Sequence, residues 1–162
     1  MLIYRITKER YLENFTGLGG SYEDGARWNR PGTPVLYFGV SAPVAMLEMA
    51  NYTTTPRMVP PSYRLGVYEI PDDAPIDYLE QADWPEDWDQ FPHPESTQRL
   101  GDDWLQECSS LGLIVPSCAV PAGLGEIIVI NPRHELADQI RLVETRREIF
   151  NPRAFIGLGD ES

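Results

Sequence analysis

The chain has almost no lysine, little cysteine or histidine, and no apolar run long enough to cross a bilayer. Of its 13 basic residues only Lys8 is a lysine, and 25 carboxylates leave a formal net charge of −12. Nucleic-acid affinity comes largely from Lys and Arg neutralising phosphates, so this balance argues against direct nucleic-acid binding. A small anionic ligand is still compatible, because arginine presents a rigid fork to phosphate and carboxylate. A GC-rich genome would produce the same arginine bias. Cys108 and Cys118 make no disulfide framework, and His93 and His134 lie far from any metal-like spacing, so no metal site is expected. The opening MLIYRITKER has a strand pattern in place of a basic segment followed by an apolar signal core, which predicts a cytoplasmic protein with no membrane association.

What is present fits one ordinary domain. A chain of 162 residues with 42% apolar residues can bury roughly 70% of its unfolded surface in a single core.

The chain is organised around Gly25 to Glu48, GARWNRPGTPVLYFGVSAPVAMLE. Pro31, Gly32 and Pro34 mark a tight turn, Val35 to Phe38 reads as a strand, and Ser41 is placed to cap a helix with Pro43 in its first turn. Arg27, Tyr37 and Glu48 thus arrive from neighbouring elements. Such a trio suits a small ligand carrying phosphate and sugar: Arg for phosphate oxygens, a tyrosine ring for stacking, Glu for a ribose hydroxyl or a developing positive charge. On the helix from Ala42 to about Asn51, Val44, Leu47 and Ala50 are expected to share the buried face, with Glu48 at its boundary.

Elsewhere, Leu2 to Ile6 alternates as a first strand that carries Arg5, either a salt-bridged surface residue or part of an anion site. Gly17 to Gly20 is a loop without the spacing of a dinucleotide fingerprint and with no obvious helix after it. Tyr63 to Ile70 alternates as another strand. Residues 71 to 95 hold nine carboxylates and no Lys or Arg, with Trp84, Trp88 and Phe91 interleaved: an irregular excursion that could be a solvated loop, a lid or a partner-binding arm. Ser96 is expected to cap a helix running to about Leu111, with Leu100, Trp104, Leu105, Cys108 and Leu111 as its apolar stripe and Gly112 as its stop. Leu113 to Val115 reads as a strand broken at Pro116 and Ser117, resuming at Ala119 and Val120. Ser117 is either a turn residue bonded to its own backbone or a cleft residue. Glu126 to Ile130 is a strand ended by Asn131, whose side chain satisfies the chain end or points to a ligand. A strand at Gln139 to Val143 and an arginine-rich tail complete the chain.

In this order the chain resembles the RES domain family, the toxin halves of RES-Xre toxin-antitoxin systems. The resemblance rests on YRI with Arg5, GARWNRPGTPVLYFG, APVAMLE with Glu48, GDDWL, VPS with Ser117 and INPRH with Asn131. It implies a RES domain over 1–156 followed by a short tail at 157–162. The implied fold is a compact α/β (α+β) domain with a central sheet, like the catalytic domains of diphtheria toxin-like ADP-ribosyltransferases. The implied activity is NAD degradation by cleavage of the nicotinamide-ribose bond, by phosphorolysis or hydrolysis, with NAD as substrate, inorganic phosphate as a candidate co-substrate and no bound cofactor. Arg5, Arg27, Tyr37, Glu48 and Ser117 match the family's functional positions, and Asn131 is a softer match for NAD binding. The implied roles are pyrophosphate binding by Arg5 and Arg27, stacking by Tyr37, charge stabilisation by Glu48, and a hydrogen bond from Ser117 to the nicotinamide amide or ribose. An Xre-type antitoxin that blocks the site is the implied partner; self-association is left open. The competing readings are a protein mono-ADP-ribosyltransferase and a non-catalytic nucleotide-binding or interaction module.

Overall fold

The computed structural model describes residues 1–53 and 58–154; the expected tail at 157–162 lies outside them. Seven strands form one sheet: β1 (Leu2–Lys8), β2 (Leu36–Gly39), β3 (Tyr63–Glu69), β4 (Ile76–Tyr78), β5 (Gly112–Pro116), β6 (Glu126–Ile130) and β7 (Arg141–Arg146). Their order is β4-β5-β6-β2-β1-β3-β7, antiparallel throughout except for the parallel pair β4 and β5. Among the described residues the α-helices are α1 (Gly20–Asp24), α2 (Ala42–Ala50) and α3 (Glu95–Glu107). The fold is the expected α+β domain built on a central sheet.

Both faces of the sheet are covered, which explains why β6 reads as a continuous apolar run rather than an alternation. Ile128 and Ile130 join Ile3, Leu36, Phe38 and Tyr68 under Leu12, Ala137 and Ile140 on one face. Ile127 and Val129 join Leu113, Val115, Trp28, Val44 of α2 and Leu105 of α3 on the other. Helix α3 approaches so closely that a Cβ on Gly101 would stand 1.8 Å from the Trp28 carbonyl oxygen.

Several element boundaries differ from expectation for local reasons. Helix α3 starts at Glu95 after Pro94, and the Ser96 hydroxyl bonds Asp87 instead of capping. It stops at Glu107 because Cys108 turns left-handed (φ 53°), and Leu111 belongs to the approach to β5 in the opposite core. Ala119 and Val120 resume no strand; the chain turns there into a short 3-10 segment, Pro121–Gly123. The Gly-rich loop does open a helix, the five-residue α1, with Gly17 at φ 71°. On α2, Ser41 caps as expected by accepting from the Val44 N–H, but the buried pair is Val44 and Ala45, while Leu47 is 45% exposed. Glu48 therefore shares the sheet-facing side of α2, one turn beyond Val44.

The excursion at 71–95 is structured. Ile76–Tyr78 adds the edge strand β4, Trp84 and Trp88 pack ring against ring at 5.0 Å, and the segment then returns to the middle of the sheet.

Candidate active site

The sheet is parted at its centre. Strands β1 and β2 share one paired position, Tyr4 with Gly39, whereas β1 pairs along its whole length with β3 and β2 along its whole length with β6. Beyond that pair the strands diverge, and two cavities of about 760 Å³ and 550 Å³ meet in the gap, with Arg5, Ile6, Ser21 and Tyr37 lining both. Each volume lies within the roughly 300–1,000 Å³ that ligand sites occupy. Gly39 permits the neighbouring approach of α2: a Cβ there would stand 2.8 Å from the Ala45 nitrogen.

The larger cavity collects Arg5, Arg27, Tyr37 and Glu48. Arg5 projects from β1 with Nη2 donating to the carbonyls of Tyr11 (2.7 Å) and Leu12 (3.1 Å), and its guanidinium lies 5.1 Å from the Phe38 ring centre and 5.4 Å from that of Tyr68. Its Nε is buried without a protein partner. Arg27 donates through Nη1 to the carbonyls of Trp88 (2.8 Å) and Gln90 (2.7 Å), tying the acidic excursion to the cavity wall. Tyr37 accepts from the Trp28 N–H (3.2 Å) and donates to Asn29 Oδ1 (2.7 Å). Burial drives its phenol well above the usual tyrosine range, so it stays protonated and holds this donor role.

Glu48 accepts a 2.6 Å hydrogen bond from the Ser117 hydroxyl. Ser117 itself has no exposed surface, its N–H bonds the Gly125 carbonyl, and its oxygen also accepts from the Ala119 N–H. In this structure the Ser117 hydroxyl proton is directed at Glu48, so Ser117 orients the carboxylate. Asn131 is not among the cavity residues. It is fully buried at the end of β6, donating to the Leu105 carbonyl and accepting from the Arg133 N–H, so it locks α3 to the sheet rather than reaching for a ligand.

The sequence reading passed over several residues at this cavity, among them Tyr52, Asp89, Phe91, His93 and Cys118. Both Tyr52 and Cys118 are exposed at the cavity rim; partial desolvation there, with Glu48 nearby, raises the Tyr52 phenol and the Cys118 thiol despite Arg27. Asn29 was also passed over. It is buried, with its amide nitrogen on the carbonyls of Ser21 and Arg30, and so fixes the acceptor that holds Tyr37. Its position beside Arg27 and Trp28 in RWN was the available signal.

These features define a class of protein: an α+β domain whose parted sheet opens into a ligand-sized cleft bearing two arginines, a tyrosine and a helix-borne carboxylate. The chain belongs to the RES domain family, whose model matches residues 2–151. It is similar to the toxin Res of Yersinia enterocolitica serotype O:8, 38% identical over 83% of this chain and 86% of that protein. A protein of Sphingobium sp. named Prs ADP-ribosylating toxin is 27% identical over 87% of this chain and 86% of its own length. In fold the chain is similar to the crystal structure of the Mycobacterium tuberculosis MbcT-MbcA toxin-antitoxin complex, with a TM-score of 0.70, 24% identity, and coverage of 90% of this chain and 82% of that one.

Proposed function

We propose that this chain is the toxin of a toxin-antitoxin pair and that it consumes NAD by breaking the nicotinamide-ribose bond. The observation that carries this reading is the placement of Glu48, bonded to the buried Ser117, on the cavity that also holds Arg5, Arg27 and Tyr37. Departure of nicotinamide transfers the electron pair of the C1′–N bond to the ring nitrogen and leaves oxocarbenium character on the ribose. A fixed carboxylate stabilises that charge, and its effect is largest where water is excluded. The acceptor oxygen then bonds C1′: a water oxygen releases its proton to solvent, whereas an anionic oxygen of inorganic phosphate bonds without losing one. Arg5 and Arg27 bring positive charge for the pyrophosphate, and Tyr37 presents a ring whose hydroxyl is already held in place.

The name of the Sphingobium relative favours a second reading, transfer of ADP-ribose to a protein at the same site. Both readings require cleavage of the same bond and differ in the acceptor. Incubation of pure protein with NAD, with and without phosphate, reports release of nicotinamide in the first case. Labelled NAD in a cell lysate reports retention of label on a protein in the second. Intact NAD under all of these conditions, with the native fold verified, contradicts both. An antitoxin partner of Xre type, seated over the cleft mouth, completes the proposal.

A further inference from the structure

We infer that His93 is a ligand-binding residue of this cavity, contributed by the acidic excursion, and that its Nδ1 hydrogen-bonds an uncharged polar group of the bound nucleotide, a hydroxyl or the carboxamide. The inference rests on the NAD reading above and extends it to a residue that no motif marks.

His93 lines the larger cavity together with Arg27, Tyr37 and Glu48. Its Nδ1 is buried and has no partner among the protein's own atoms. A buried polar atom left unpaired costs stability, and a site that binds a polar ligand is where such a cost is recovered. The chain is anchored on both sides of His93. Gln90 and Trp88 are fixed by Arg27, Glu95 accepts from Arg30 at 3.0 Å, and Phe91 meets the imidazole edge to face at 5.8 Å. An anchored segment carries its side chain to the cavity with less ordering cost on binding, which is what lets a single hydrogen bond add affinity.

The charge state selects the kind of group bound. Burial, reinforced by Arg27, lowers the His93 pKa, and the ionisable neighbours at the same cavity are Tyr4 of β1, Tyr37 of β2, Glu48 of α2, Tyr52 just after α2, Asp89 of the excursion, Cys118 after β5, and the two arginines. At neutral pH the imidazole is uncharged, with one N–H and one lone pair. It thus complements a hydroxyl or amide, while the phosphates fall to Arg5 and Arg27.

The test uses the full chain and its two histidines. In the Glu48→Gln protein, in which NAD cleavage is expected to be lost and NAD binding is checked first by calorimetry, ¹⁵N spectra of the imidazoles should show the His93 Nδ1 signal shifting on NAD addition. The signal of His134, whose Nδ1 already accepts from the Leu136 N–H, should stay in place. In the otherwise unmodified enzyme, His93→Ala should raise KM for NAD by about two- to tenfold with a much smaller change in kcat. His93→Asn, whose amide reaches near the Nδ1 position, should recover most of the loss. An unmoved Nδ1 signal at saturating NAD, or an unchanged KM in His93→Ala, overturns the assignment while NAD turnover stands. If the unmodified chain neither binds nor consumes NAD, the functional reading fails and takes this assignment with it.

Discussion

Ser117 gives its hydroxyl proton to Glu48 Oε1 at 2.6 Å, across 69 positions of sequence and from the end of β5 to the inner side of α2. A carboxylate on a helix can sample several rotamers; this bond removes that freedom where the charge is needed. Because Ser117 is buried, its role passes through Glu48. Ser117→Ala should therefore lower kcat for NAD cleavage by about 10- to 100-fold, the worth of a hydrogen bond to a charged group, with KM nearly unchanged. Steady-state kinetics on the purified variant measures this.

Arg27 has a double task, since the guanidinium that faces the cavity also holds the carbonyls of Trp88 and Gln90. Lysine keeps the charge but loses the planar fork. Arg27→Lys should raise KM for NAD tenfold or more and speed amide hydrogen exchange across residues 88–93, with exchange in β5 and β6 unaltered.

Tyr37 is held by Trp28 and Asn29, so deletion of its hydroxyl leaves the Trp28 N–H and the Asn29 amide oxygen short of a partner in a buried region. Tyr37→Phe should cost about 1–3 kcal/mol of stability, seen as a lowered midpoint in urea with an unchanged slope.

How much of this was legible in the sequence depends on the reach of each interaction. Most strands were readable because alternation and apolar runs are local, whereas β4 inside the excursion was missed and Ala119 and Val120 were wrongly read as strand; Ser41 and Pro43 marked the start of α2 correctly. The inward face of α2 was misread. A helical wheel favours Leu47, yet the cleft needs Glu48 inside, and a functional carboxylate is the kind of residue that breaks an apolar pattern. The parting of β1 from β2 left no local signal, because it is an absence of pairing between distant segments. Ser117 and Asn131 were found as special positions, but their partners, Glu48 and Leu105, are set by tertiary packing. The excursion gave even less, since its path back to the cleft depends on Arg27.

Gly101 offers a test of the scaffold alone. With the Trp28 carbonyl 1.8 Å from the position of an added Cβ, Gly101→Ala must push α3 away from the Ala26–Asn29 turn, against the ordinary preference of helices for alanine. A loss of at least about 1–3 kcal/mol is expected in chemical denaturation. A stabilised variant would show that α3 does not pack as described.

Glu48 is the residue on which the proposed cleavage depends most directly. Mass-spectrometric analysis of NAD incubated with the purified chain and with Glu48→Gln, after circular dichroism has verified that both are folded, is the decisive measurement. Free nicotinamide together with ADP-ribose or its phosphorylated form, made by the unmodified chain and reduced at least about 100-fold by Glu48→Gln, is the predicted result. Equal product from both proteins would remove Glu48 from the chemistry and contradict the account.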